Sequence, residues 1–121
     1  MQPEPELEVV SGRAAAAKKW NDDVIEQEVT KHVVGVLRKN RETVGKLADA
    51  ESVAVPFSVE LLREIARKAR TDDTLPSDVT LRVRFSMVLR NRCGFKTREK
   101  GDKLFVMLTA EQARKLLDEA A

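Results

Sequence analysis

Residues 79–108, VTLRVRFSMVLRNRCGFKTREKGDKLFVML, decide the fold, because two different periodicities follow each other within them. In the first part, four apolar residues recur at helical spacing and would form a stripe about 100° wide on a helix: Leu81, Phe85, Val88 and Leu89. Alternate apolar residues from Val79 to Leu89 also fit a half-buried strand. A left-handed cap at Gly94, with cations before it and Phe95 after it, favours the helix. The sequence therefore predicts a helix over residues 79–92, with a strand as the alternative.

Beyond Gly94 the pattern changes to a period of two. Phe95, Thr97 and Glu99 face one way, and the apolar residues after them alternate between two faces of a second strand: Leu104, Phe105, Val106, Met107 and Leu108. The letters KGD at residues 100–102 supply the turn between the strands. This part of the chain therefore predicts an antiparallel β-hairpin.

Helix signals surround this segment on both sides. Asn21 is a good N-cap for a helix over residues 22–39, and the letters VAV at residues 53–55 indicate a short strand. Ser58 and Ser77 are N-caps for a second and a third helix, and Thr109 has the capping-box spacing that opens a last one. The predicted fold class is α+β, a small helical domain with an antiparallel hairpin in the order helix, strand, helix, helix, hairpin, helix.

Length and composition limit the classes of protein. The 121 residues predict one domain at 18–121 after a mobile tail at 1–17 that has little periodicity. Cys93 is the single cysteine, which excludes an internal disulfide and a thiolate zinc cluster. No apolar run is long enough to span a bilayer, and the start has no secretory pattern. We expect a cytoplasmic protein without a membrane partner.

Charge is unevenly distributed along the chain. The formal net charge is only +2, and 35% of the residues are charged, a bias that resembles hyperthermophile proteins. Residues 79–103 carry eight cations against Glu99 and Asp102, a balance of +6, so the rest of the chain sums to −4. Such a division predicts a surface that faces a polyanion. The eight cations are Arg82, Arg84, Arg90, Arg92, Lys96, Arg98, Lys100 and Lys103.

Exposed rings distinguish single-strand binding from duplex binding, because bases stack on them without strong dependence on sequence. Phe57 is expected as a helix staple and Phe85 in the core, which leaves Phe95 or Phe105 on the hairpin and Trp20 beside two lysines. A core position stays an alternative for each ring. Val83 and Met87 lie off the main apolar stripe of their helix, alongside Arg82 and Arg84. They suit either unstacked bases or the seam of a homodimer.

Residues suited to catalysis are few. His32 is the sole histidine and is expected to be structural, and the acidic pairs at residues 22–23 and 72–73 fit helix caps and turns. Cys93 near cations is either a reactive thiol or a small apolar filler, of which the filler is favoured. The chain has no phosphate-binding glycine loop and no metal-ligand spacing. We expect no enzyme, no cofactor and no metal.

Two families share features with this chain. The helix-end and hairpin letters LRNRCGFKTREKGDKLFVML resemble the third helix and wing of winged-helix domains, and this resemblance covers residues 22–108. It implies duplex-DNA binding with the third helix in the major groove and TREKGDK as the wing. The Trp20 start, VPFSVELLREIARKA and LRVRFSMVLRNRCGF are similar to the small archaeal single-stranded-DNA-binding proteins called ThermoDBP. That resemblance implies binding to single strands.

The leading hypothesis is a non-catalytic nucleic-acid-binding protein that favours single-stranded DNA or RNA. Its candidate site combines the eight cations of residues 79–103 with Trp20 and Phe105 as stacking rings. A winged-helix regulator of duplex DNA and a protein-interaction domain remain as alternatives, and a homodimer is compatible with each of them.

Overall fold

The computed structural model describes residues 20–71 and 74–120, which form five helices and a three-stranded antiparallel sheet. In chain order the elements are α1 (Asp22–Lys39), α2 (Arg41–Gly45), β1 (Ser52–Phe57), α3 (Val59–Ala69), α4 (Asp78–Asn91), β2 (Lys96–Lys100), β3 (Lys103–Thr109) and α5 (Ala110–Ala120). The predicted α+β class is confirmed, and the predicted order of elements holds except that the short helix α2 lies between the first helix and β1. The tail predicted at residues 1–17 lies outside the described residues.

Helix α4 forms where the sequence left a strand as the alternative. The Ser77 hydroxyl accepts a hydrogen bond from the Thr80 N–H at 3.3 Å, which caps the first turn. At the other end Gly94 has a φ of 73°, and the Phe95 N–H then donates to the Leu89 carbonyl at 2.9 Å. Burial favours the helix because it places Leu89 and the rest of the helical stripe in one core.

Side-chain caps fix where the other helices begin. The Asn21 side-chain oxygen accepts from the Asp23 N–H at 3.1 Å, and the Ser58 hydroxyl accepts from the Leu61 N–H at 3.2 Å. Before α5, the Gln112 N–H donates to the Thr109 hydroxyl at 3.1 Å, and the Thr109 N–H donates back to the Gln112 side chain at 3.0 Å. This reciprocal pair is the predicted capping box, and it starts α5 directly after β3.

The sheet has the strand order β1, β3, β2, so that β3 lies in the centre. Gly101 and Asp102 connect β2 to β3, and the φ of 63° at Gly101 fits the first central position of a type II′ turn. Alternate residues of β3 and β1 point into the core and are buried: Leu104, Val106, Leu108, Val55 and Phe57. One face of the sheet therefore completes the helical core.

Helix α1 is attached to the outer edge of β1 through its one histidine. The His32 Nε2 lies 2.9 Å from the Pro56 carbonyl oxygen, and the imidazole ring lies 4.5 Å from the Phe57 ring between centroids. Because a carbonyl only accepts hydrogen bonds, Nε2 carries the proton in this contact. Pro56 has no N–H to offer and is tolerated because β1 is an edge strand. His32 therefore has the structural contact that the sequence predicted.

Substitution of two glycines by alanine should change the stability in opposite directions. An alanine Cβ at Gly94 meets no atom, but the positive φ strains it, so Gly94→Ala should lower the free energy of unfolding by about 1 kcal/mol. A Cβ added at Gly35, in the interior of α1, would also meet open space. Gly35→Ala should therefore raise the free energy of unfolding by about 0.5–1 kcal/mol. Urea denaturation measures both, and destabilisation by Gly35→Ala would contradict the packing described for α1.

Candidate nucleic-acid interface

The face of the sheet that points away from the core carries an aromatic ring and several cations. The strand register places Phe105 between Pro56 on β1 and Arg98 on β2, and places Met107 between Ala54 and Lys96 in the next row. Residues directly opposite each other on antiparallel strands point to the same side of the sheet. We call this set the outer face: Ala54, Pro56, Lys96, Arg98, Lys100, Lys103, Phe105 and Met107.

Exposure confirms the alternation. Phe105 and Met107 are partly exposed, whereas Leu104, Val106 and Leu108 between them are buried. The cations and the β1 residues of the outer face are exposed. A shift of the register by one residue would turn the cations into the core, so the same pattern fixes the fold and the composition of this face.

Five cations of the hairpin and α4 have no ion-pair partner among residues 20–71 and 74–120: Arg90, Lys96, Arg98, Lys100 and Lys103. Four of the five belong to the outer face. Arg90 Nε donates to the Ser86 carbonyl at 3.4 Å, which leaves its charge uncompensated. Their fields add, and the surface around β2 attracts anions.

The other three predicted cations are held by carboxylates. Arg82 Nε donates to the Glu99 carboxylate at 3.0 Å and is only 13% exposed, which ties α4 to β2. Arg84 lies 3.5 Å from the Asp22 carboxylate. These two arginines orient α4 against β2 and α1, and their paired charges are less available to a nucleic acid than the sequence indicated.

Arg92 is the third paired cation. It binds the Asp23 carboxylate and also lies 3.1 Å from the Glu26 carboxylate. The hydrogen bond that Arg92 donates to the Asp23 carboxylate raises the pKa of Arg92 above its ordinary value. Arg92 therefore joins the end of α4 to the first turn of α1.

Trp20 lies on a different side of α4 from the outer face. Its ring centroid is 4.7 Å from the Arg70 guanidinium carbon and 5.5 Å from that of Arg84. Arg84 follows Arg82 by two residues, a rotation of about 200° on a helix, and Arg82 reaches β2. The structure therefore separates Trp20 from Phe105, the other predicted stacking ring.

Phe105 is the ring that the hairpin leaves partly exposed. Phe95, its alternative in the sequence, is only 8% exposed because it packs back on the core after the Gly94 turn, while Phe57 and Phe85 are fully buried. Among the four phenylalanines, all of which lie in the described residues, Phe105 alone is partly exposed, and it lies among the unpaired cations.

The sequence missed two parts of this surface. Val79 is 61% exposed, and Val83 and Met87 are 52% and 41% exposed. The three side chains form one row along α4. The spacing of four residues was the available signal. Pro56 and Ala54 were also missed, because no local pattern states which strand β1 pairs with.

Cys93 has the properties of a filler and not of a nucleophile. It is partly buried against the core, and burial raises the pKa of its thiol above the ordinary value, with a further increase from the charge of Glu26. A hydrogen bond with Thr30 and the charge of Arg92 lower it in part. A thiol with a raised pKa contains little thiolate at neutral pH.

Within the described ranges, no group of three or more histidine, cysteine, aspartate and glutamate side chains could hold a metal ion. None of the helices described combines the length and the apolar character that crossing a membrane requires. No family model, curated protein or solved structure matches this chain significantly.

The raised thiol pKa predicts how fast Cys93 reacts with iodoacetamide. The rate should still be rising above pH 9, because burial and Glu26 both disfavour the thiolate. Glu26→Gln removes one of these causes, so the rate profile should shift to lower pH. Glu28→Gln is the matched control, since Glu28 pairs with Lys68 and does not act on Cys93. A rate that levels off below pH 8 in the unchanged protein would contradict this environment.

Proposed function

We propose that this domain binds single-stranded nucleic acid on the outer face of its sheet, without catalysis. The observation that carries the proposal is the position of the partly exposed Phe105 ring on the same face as four unpaired cations. These cations are Lys96, Arg98, Lys100 and Lys103.

The two kinds of group suit the two parts of a nucleotide. An unstacked base gains contact on the Phe105 ring, and the Arg98 guanidinium in the neighbouring position adds a planar cation. Lysine and arginine side chains at strand spacing neutralise successive phosphates and release condensed counterions. Neither contact reads base edges, so we expect little sequence preference and binding to both DNA and RNA.

Duplex binding in the winged-helix manner is the second candidate. The order of elements supports it, since α4 precedes a hairpin whose turn has Lys100 and Lys103 on either side. The outward row of α4 speaks against it, because Val83 and Met87 are apolar and donate no hydrogen bonds to base edges. Arg82, the natural base reader on α4, is occupied by Glu99. We therefore favour single strands.

A binding role without catalysis fits the remaining side chains. His32 is held by the Pro56 carbonyl, and the pKa of Cys93 is raised by burial. The acidic groups at the start of α1 are engaged by Arg84 and Arg92. These described side chains have structural contacts, and we propose no substrate and no cofactor.

Salt dependence tests the electrostatic part of the proposal. If all five unpaired cations contact phosphates, the logarithm of the association constant for oligo-dT should fall with the logarithm of the salt concentration with a slope of about −3.5. Each contact contributes about −0.7 to this slope. Replacing Lys96, Arg98, Lys100 and Lys103 with alanine should flatten the slope to about −0.7. The control replaces four exposed lysines elsewhere, Lys31, Lys39, Lys46 and Lys115, and should leave the slope unchanged. Equal slopes in both quadruple variants would remove the outer face from the site.

Stacking on Phe105 is tested by a single substitution. Phe105→Ala should weaken oligo-dT and oligo-U binding by about 1–3 kcal/mol while leaving the salt slope unchanged, because the phosphate contacts survive. Phe105→Trp should retain binding, since it keeps a ring. Met107→Ala is a control for lost apolar area in the neighbouring row, and thermal melting establishes that each variant is folded.

Competition with duplex distinguishes the two candidate functions. If the domain prefers single strands, unlabelled oligo-dT should displace labelled oligo-dT at a much lower concentration than an unlabelled duplex of the same length does. If duplex competes at least as well, and Phe105→Ala binds normally while folded, the winged-helix hypothesis replaces the one proposed here.

A further inference from the structure

A groove between α4 and β2 adjoins the outer face. It has a volume of about 280 Å³ and is lined by Val83, Ser86, Arg90, Thr97, Arg98 and Glu99. Arg98 belongs both to this groove and to the outer face, where it lies opposite Phe105. Adjacent strands are about 4.8 Å apart, so a ligand on Phe105 needs to cross only β2 to enter the groove.

Each of the two walls of the groove contributes one arginine without an ion-pair partner among the described residues. Arg90 comes from α4 and Arg98 from β2, and neither has an ion-pair partner in the part of the chain that the structure describes. The Glu99 carboxylate also lines the groove but accepts from Arg82 Nε at 3.0 Å, so its charge is already matched. A phosphate accepts charge-assisted hydrogen bonds from guanidinium groups, so two arginines that line one groove from opposite walls are suited to it.

Beyond the groove, α4 presents its apolar row. Leu81, Phe85 and Leu89 are fully buried, and Val83 lies on the opposite side of the helix from the centre of that stripe. The row consists of Val79, Val83 and Met87, each between 41% and 61% exposed. Such a row needs an occupant, because a helix facing water normally carries polar residues there.

The small area of the apolar row and the positive charge beside it indicate which kind of molecule covers the row. Three partly exposed side chains offer far less than the roughly 800 Å² for each partner that a stable protein interface needs. A second copy would also bring Arg90 and the β2 cations against the same charges. A single strand has phosphates for the cations and apolar base faces for the row, which makes it complementary to both.

We propose that the groove holds a backbone phosphate between Arg90 and Arg98, and that the strand then lays its next bases against Val83 and Met87. This inference depends on the proposed function, since it extends the same strand from Phe105 across β2. The proposed path sets a minimum length for the strand that occupies the whole site. A strand of about four nucleotides is held by the outer face, and one of about ten nucleotides reaches α4 as well.

Length-resolved binding tests the path with the full chain and two near-isosteric substitutions. Val83→Thr combined with Met87→Gln should weaken a strand of about ten thymidines roughly fivefold, and leave one of about four within twofold. Arg90→Ala should also weaken only the longer strand, and reduce its salt slope by about 0.7. Val34→Thr and Lys31→Ala, on α1, are the apolar and cationic controls. Oligo-U of both lengths establishes whether the path holds for RNA.

The outcomes separate the two proposals. If Phe105→Ala weakens both lengths but the α4 variants weaken neither, the path across β2 is overturned and the outer-face site stands. If the α4 variants weaken both lengths equally, the ordered path is also overturned, because the short strand then occupies the groove. If no strand of either length binds, the proposed function fails and this inference fails with it.

Discussion

Burial of one face of β3 determines what the rest of the domain presents to solvent. Leu104, Val106 and Leu108 fill the core between helices and sheet, and each contributes roughly 1.5–3 kcal/mol by leaving water. Because side chains alternate along a strand, the residues between them must face outward, and those residues are Phe105 and Met107. Pairing then carries the alternation to β2, where the outward positions are cations. The candidate binding face is thus a consequence of the core.

The eight cations of residues 79–103 divide by the carboxylates within their reach. Three of them join α4 to β2 and to α1 through Glu99, Asp22, Asp23 and Glu26. Partly exposed pairs of this kind contribute little to stability, typically about 0–1 kcal/mol each, so their main effect is orientation. The remaining five lie on β2, at the start of β3 and on α4, and have no ion-pair partner among residues 20–71 and 74–120. The charge asymmetry visible in the sequence therefore overstated the available charge, because three of the eight cations are paired.

Local signals predicted most of the fold. Caps at Asn21, Ser58, Ser77 and Thr109 gave helix starts that the structure confirms, and the Gly94 cap decided between helix and strand for α4. Contacts between elements distant in sequence were not predictable in this way. The burial of Phe95, the two arginines around Trp20 and the pairing of β1 with β3 all depend on how the elements pack. The sequence therefore named Phe105 as a candidate ring but could not state which of the candidate cations share a face with it.

Strand β2 has a second physical role that its cations serve at the same time. It is an edge strand, and an unpaired edge attracts other strands unless charge or shape prevents this. Lys96, Arg98 and Lys100 lie at alternate positions along it, so two copies of β2 repel each other while the same residues attract a polyanion. A bound strand would neutralise this charge and also cover the edge. Protection of the edge and recognition of a nucleic acid therefore select the same residue types at the same positions, and composition alone cannot separate them. The two roles differ in what they ask of Phe105: protection of an edge needs charge alone, whereas the proposed binding of a single strand also needs a partly exposed ring on the same face.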